Sequence, residues 1–396
     1  MVGMRYASGL TAVLCLSGCG DDSSAVPVEG KNADAHRELL TAMVDAVFLP
    51  GLREFDQHAG TLVEATAALA TNPAALDDAR SAWKAAMAAW QRVEVLQVGP
   101  AGMMGAVAGG QDLRDAIYSW TTVNPCRVDQ EVVEQVFVDV SAFASEPVNV
   151  RGLDALEYLL FVPTAGNDCK LASEINSSGS WQALSETEIR DRRATYAHTV
   201  AQLIRTDSET LLTAWEKVGG DFAQALATGG AGSTVYPTAQ AALNAVSDAL
   251  FYVEAATKDI KLALPSGISG ECTADCDQRV ESRWAHQSKE HIVANLIAFR
   301  LSFTGGDPAD ASAIGFDDLL AAAGAGAVSD ALVAELDAAI QAADAIPGTL
   351  AEAVIANPAA VEAAHAALKT AMTRYKTEVM GLLDLSIPEQ VASDND

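Results

Sequence analysis

Apolar residues recur at helical spacing through one segment after another of this chain, and Gly or Pro ends nearly every segment. That pattern leaves little room for anything but an all-α fold. The stretch 74–98 shows it best: it is Ala-rich and amphipathic, carries Trp83 and Trp90 seven apart on one face, and breaks at Gly99-Pro100. The same reading predicts helices over 33–48 (stopped by Pro50-Gly51), 52–70 (ended by Asn72-Pro73), 112–120, 129–144, 152–161 and 185–218. After a Gly-rich break at 219–237 it predicts further helices over 238–264, 279–303, 316–323, 329–345, 348–356 and 359–383. Segments 102–110 and 166–180 read as loops. Strand signals are nearly absent, so the expected class is all-α.

One internal repeat suggests how these helices are arranged. Residues 72–90 align without gaps on 357–375, with nine of nineteen positions identical, including the Asn-Pro start, Lys84/Lys369 and Met87/Met372. Duplication predicts two similar antiparallel bundles, at 35–218 and 238–386, joined by a linker at 219–237. Ligand sites in such arrangements favour the space between bundles.

The N-terminus points to export. A single cation, Arg5, precedes an apolar run from Ala7 to Leu16 that is too short to span a bilayer. Leu16-Ser17-Gly18-Cys19 resembles a bacterial lipobox, which makes 1–18 a signal peptide and Cys19 the lipidated residue. A plain signal peptide with a chance cysteine is the alternative. Residues 19–34 then read as a flexible tether, and 387–396 as a disordered tail. The expected location is the cell envelope, facing the periplasm, with the membrane as a partner through the lipid. Asp does not directly follow the cysteine, which favours the outer membrane.

Charge and cysteines narrow the partners. The chain carries a net charge of −28, and removing 1–18 takes away only Arg5, leaving −29. Such a surface repels nucleic acid and anionic headgroups, so no nucleic-acid partner is expected. It does concentrate cations. Once Cys15 leaves with the signal and Cys19 is acylated, Cys126, Cys169, Cys272 and Cys276 remain, and three pairings are open. The favoured pairs are Cys126–Cys169 and Cys272–Cys276, the latter within one Gly-bounded loop. A rival reading makes a metal site of Cys272, Cys276, His286 and His291. Five residues apart on a helix, those histidines point about 140° away from each other.

Two segments carry a family resemblance. Arg151-Gly-Leu-Asp-Ala-Leu-Glu-Tyr-Leu-Leu-Phe161 resembles the Gly-x-His-x-x-Glu helix of the imelysin, or iron-regulated protein A-like, family. Glu281-Ser-Arg-Trp-Ala-His-Gln-Ser-Lys-Glu-His-Ile-Val-Ala-Asn295 resembles the family's Glu-Ser-Arg…Ser…Asn segment. The resemblance implies a two-bundle helical envelope protein tied to iron uptake, and it brings a peptidase label. This chain places Asp154 where the family has histidine. Asp154 and Glu157, three apart on one helix face, could both reach one cation. Two carboxylates make a harder site than His plus Glu, favouring Fe(III), Ca²⁺ or Mn²⁺ over Zn²⁺ or Cu²⁺. The competing readings are an acidic first turn that merely stabilises the helix N-terminus, or a Glu157 paired with a buried Arg283 or Arg92.

Glu281, Ser282, Arg283, Ser288 and Asn295 form the second constellation. At helical spacing Glu281, Ser288 and Asn295 share one face, which either meets the Asp154/Glu157 helix across a polar pocket or forms a buried network setting helix register. No His-Glu-x-x-His, Gly-x-Ser-x-Gly or phosphate-binding glycine loop is present. Glu362-Ala-Ala-His365 and the His286/Glu290 pair read as surface pairs, and Trp83, Trp90 and Trp120 as core. The leading expectation is a non-catalytic envelope lipoprotein binding a metal ion or small metal complex, with iron favoured. Its rivals are a peptidase and a scaffold lipoprotein that engages an envelope protein.

Overall fold

The computed structural model describes residues 29–388, apart from 273 and 308. The signal peptide, Cys19, most of the tether and the tail from 389 onward lie outside the described residues. Every regular element among the described residues is helical.

Helix α1 (Ala33–Met43) does not stop at Pro50-Gly51. It runs through a π-helical turn, Val44–Phe48, into α2 (Leu49–Thr71). Pro50 lacks an amide hydrogen, and its ring crowds the preceding turn of a regular helix. Widening that turn relieves both conflicts, so the chain passes the proline without a break. Asn72 ends α2, and its side chain accepts from the Ala74 N–H to start the lead-in to α3 (Leu76–Glu94). Helix α4 (Gly152–Phe161) and α5 (Glu186–Trp215), the latter opened by a Ser185/Glu188 capping box, pack with α2 and α3. Trp83 ties α3 to α4 by donating to the Leu153 carbonyl at 2.8 Å.

The second half contains α6 (Ala239–Leu250), a π-helical stretch (Val253–Ala263), α7 (Ser288–Phe303), α8 (Gly326–Asp344) and α9 (Pro358–Arg374). Helix α8 packs on both α7 and α9. Across the halves, α3 lies against α7 and α1 against α6. Both copies of the sequence repeat are helical and bury matching positions, Ala79/Ala364, Trp83/Leu368, Met87/Met372 and Trp90/Tyr375.

Two expected helices differ in a way that matters for the site. The segment expected as one helix over 129–144 is split, because Gln135 adopts a left-handed backbone with φ 60°. It becomes Pro125–Glu134, a 3₁₀ turn at Val136–Val138 and Val140–Phe143. The helix expected over 279–303 begins only at Ser288. Residues 281–286 coil in turns instead, with Ser282 and His286 at φ 47° and 57°. Cys126–Cys169 and Cys272–Cys276 are both disulfide-bonded, so the second pair does not join His286 and His291 in a metal site.

A candidate ligand site between the two halves

Gly152 sets the position of the first carboxylates. Its φ is +87°, and a Cβ there would meet the Ile117 carbonyl oxygen at 2.9 Å, so only glycine fits without displacement. The helix that follows carries Asp154 and Glu157, both buried. Asp154 Oδ2 accepts from Ser119 Oγ at 2.8 Å, and Oδ1 from the Ala155 N–H at 3.0 Å. Glu157 Oε1 accepts from the N–H groups of Trp284 and Ala285, each at 2.9 Å. Neither carboxylate has a cationic side chain within ion-pair distance among the described residues. Arg92 pairs instead with Glu54, and Arg283 lies over the Trp284 ring at 4.2 Å. Burial therefore pushes Asp154 up to about 7 and Glu157 up to about 8, against the hydrogen bonds that favour their charged forms.

Beside this pair runs a fully buried polar network centred on Lys261. Its ammonium contacts Gln91 Oε1 at 2.6 Å, Asn295 Oδ1 at 2.8 Å, Glu281 Oε1 at 3.1 Å and Glu94 Oε2 at 3.7 Å. Glu281 also accepts from Tyr118 at 2.7 Å and Gln91 at 3.0 Å, and its other oxygen lies 3.3 Å from His291 Nδ1. Burial alone would raise the Glu281 carboxyl, but Lys261, His291 and Tyr118 overcome it and hold the group below its ordinary range. Arg114 closes the charge balance by pairing with Glu94 at 2.7 Å. Network members come from α3, α7, the π-helical stretch and two turns, so both halves of the chain supply them.

A cavity of about 520 Å³ opens at this junction. Its lining includes Asp154, Glu157 and Ser282 together with Trp120, Arg279 and Arg283. Trp120 is half-buried: it packs against the core and also lines this cavity. Ser282 Oγ lies 3.3 Å from His291 Nδ1, the nitrogen that also meets Glu281. A nucleophile–base–acid relay uses opposite nitrogens of the imidazole, so these three residues do not form one. Among the described residues no group of three or more His, Cys, Asp and Glu side chains is arranged to hold a metal ion. The charged groups lining the cavity are the buried Asp154 and Glu157, the exposed Glu271, and Arg279 and Arg283.

Residues 48–379 match the imelysin family (Peptidase_M75: Imelysin). The chain belongs to the imelysin family. Its fold is similar to that of an imelysin-like protein from Psychrobacter arcticum, with a TM-score of 0.69 at 17% identity, covering 92% of this chain and 99% of that one. It is also similar to a candidate iron-regulated protein A precursor from Parabacteroides distasonis, with a TM-score of 0.68 at 17% identity, covering 91% and 96%. No curated protein matches the chain.

Within this imelysin-family chain the structure sorts the expected site residues. Asp154, Glu157, Ser282 and Arg283 line one cavity. Glu281 and Asn295 belong to the adjoining network, and Ser288 fastens it by donating to the Glu281 carbonyl. Glu281 reaches that face by a turn, not by the seven-residue helical register the sequence suggested. Reading the sequence missed Gln91, Glu94, Tyr118 and Lys261, and placed His291 only in the rival site with Cys272 and Cys276. Glu94 carried a usable signal: it follows Met87 by seven residues and Trp90 by four, which puts a carboxylate on the apolar stripe of α3. Lys261 lies in Ile260-Lys-Leu-Ala-Leu264, a cation inside an apolar run.

Proposed function

We propose that this imelysin-family protein is a non-catalytic binding protein of the bacterial envelope that takes up a metal ion with ligands of its own. The observation that carries the proposal is the pair of buried carboxylates, Asp154 and Glu157, beside a cavity and without a cationic partner. Burying a carboxylate in this way is unfavourable unless it is protonated or meets a cation. An incoming cation displaces the protons, while Arg279 and Arg283 suit the anionic ligands around it. Hard oxygen donors favour Fe(III), Mn²⁺ or Ca²⁺. The iron-regulated naming of the Parabacteroides distasonis neighbour supports iron among these.

The test is a calorimetric titration of the purified protein with ferric citrate and with Fe(II), Mn, Ca, Zn and Cu salts, repeated on Asp154→Asn/Glu157→Gln. Saturable binding that the double variant loses supports the site. Binding that survives the substitutions places the cation elsewhere, and no binding of any of these ions sinks the proposal. The leader and the lipobox-like Leu16-Ser17-Gly18-Cys19 support a lipid anchor facing the periplasm, with the outer membrane favoured. Expression of Cys19→Ala should move the protein from the membrane fraction to the soluble one; an unchanged distribution would remove the anchor from the proposal.

A further inference from the structure

One wall of the Asp154 cavity comes from a single stretch of chain: Gln278, Arg279, Val280, Ser282, Arg283 and Trp284. The later part of that stretch is well fastened. Trp284 and Ala285 donate to Glu157, Ser288 donates to the Glu281 carbonyl, and Arg283 lies 3.9 Å from Asp168. The earlier part is not. Among the described residues the hydrogen bonds of 271–280 stay local: the Glu271 N–H reaches Ser269 Oγ at 3.4 Å, the Gln278 N–H reaches the Asp275 carbonyl at 3.0 Å, and Gln278 Nε2 reaches the Asp277 carboxylate at 2.7 Å. What ties this part down is the burial of Cys272 and Val280, together with the disulfide that joins Cys272 to Cys276.

The other disulfide sits in a different setting. Cys126–Cys169 also borders the cavity, since Pro125 lines it and Asp168 meets Arg283. Its loop, however, is bonded to the rest of the fold without the sulfurs. The Asp168 N–H donates to Asp129 at 2.8 Å, Arg193 donates to the Thr164 and Gly166 carbonyls at 2.6 Å each, and Asn176 donates to the Cys169 carbonyl at 3.1 Å. A segment with few hydrogen bonds to its surroundings opens at low free energy, and a covalent tie across it limits that opening. The 271–280 part of the wall therefore depends on its disulfide far more than the Asp168 loop does.

We propose that Cys272–Cys276 is a redox latch on the candidate ligand site: the intact disulfide holds the Gln278–Val280 wall against the cavity, and its reduction by a dithiol releases that wall. The inference rests on the reading of the Asp154/Glu157 cavity as a ligand site. Cys276 is half-buried and follows the exposed Ala274 and Asp275, whereas Cys272 is buried, so the reductant meets the Cys276 sulfur. A thiolate of the dithiol attacks Cys276 Sγ, the S–S bond breaks, and Cys272 leaves as a thiolate that takes up a proton. The second thiol of the reductant then attacks the mixed disulfide, frees Cys276 and closes the reductant's own disulfide. Two electrons and two protons have passed to the protein, which now carries two thiols.

Amide hydrogen exchange read by mass spectrometry tests the latch on the purified, metal-free protein. In Cys272→Ser/Cys276→Ser the amides of 277–285 should exchange about tenfold faster than in the parent, while those of α5 keep their protection. The parent treated with dithiothreitol should show the same local change, a measurement that depends on no variant folding. Cys126→Ser/Cys169→Ser should leave 277–285 as in the parent. Unchanged exchange at 277–285 after loss of Cys272–Cys276 would overturn the latch. So would an equal change in Cys126→Ser/Cys169→Ser, or a loss of protection spread through every helix. Calorimetry with ferric citrate adds the ligand arm: Cys272→Ser/Cys276→Ser should bind about tenfold more weakly than the parent. Equal binding by both would overturn the latch and leave the cation reading standing. A parent that binds no ferric citrate would remove the cation reading, and the exchange comparison would still decide whether the disulfide holds the wall.

Discussion

The Lys261 ammonium lies 3.1 Å from Glu281 and 3.7 Å from Glu94, with no exposed surface on any of the three side chains. Its charge, together with Arg114 on Glu94, makes two buried carboxylates tolerable. Removing one partner of a buried ion pair leaves an uncompensated charge and typically costs about 3–5 kcal/mol. Lys261→Met is therefore expected to destabilise the protein by about that amount in denaturant unfolding. The double variant Lys261→Met/Glu281→Gln should recover part of the loss, because it removes one of the stranded charges. A loss below about 1 kcal/mol in the single variant would mean that Glu281 finds other partners. Asp154 and Glu157, a few residues from this network in space, have no such cation, and that contrast marks them as the ligand-facing pair.

At the scale of an element, the helix Gly152–Phe161 places both carboxylates at once. Its entry depends on the left-handed Gly152, whose missing Cβ lets the chain pass the Ile117 carbonyl. Gly152→Ala combines a close contact with a strained φ, for an expected loss of about 1–3 kcal/mol. The shift should also reach the site, because Asp154 lies two residues away. Thermal unfolding and metal titration of this variant should both be impaired; a variant as stable as the parent would show that the helix entry can relax. The π-helical turn before Pro50 works the other way. It lets α1 and α2 continue past a proline, and in doing so forms the corner where Phe48 stacks on Trp215.

For the whole molecule, the raised carboxylates imply a defined dependence of stability on pH. The unfolded chain releases the Asp154 and Glu157 protons near 3.8 and 4.5, whereas the folded protein holds them to about 7 and 8. Over that window the unfolded state binds fewer protons, so each group makes folding less favourable as pH rises. Relative to the parent, Asp154→Asn/Glu157→Gln should therefore show a flatter stability curve between about pH 4.5 and 8, measured by chemical unfolding. Parallel curves would mean that the two groups are not protonated in the folded state. Metal binding should strengthen with pH over the same range, since the cation competes with those protons.

Much of this organisation was legible in the sequence because its causes are local. The 3.6-residue recurrence of apolar side chains specifies an all-α chain, and the bounds of 152–161 follow from a glycine entry and a largely apolar run that carries Asp154 and Glu157. The Asp154/Glu157 pair is local too, since three residues on a helix share a face. The path of the chain near Pro50 was misread, because a proline reads as a stop and only the surrounding packing favours the wider turn. Glu281 was assigned to the right face for the wrong reason, since turns at Ser282 and His286 replace the expected helical register. Lys261, Gln91, Tyr118 and His291 could not be joined from spacing at all. They are brought together from distant segments, and the free energy that pairs them is the desolvation of their charges inside the finished fold. Sequence alone determined the all-α class and put Asp154 and Glu157 on one helix. Which charges are neutralised and which carboxylates are left facing a cavity were decided only by how those helices pack.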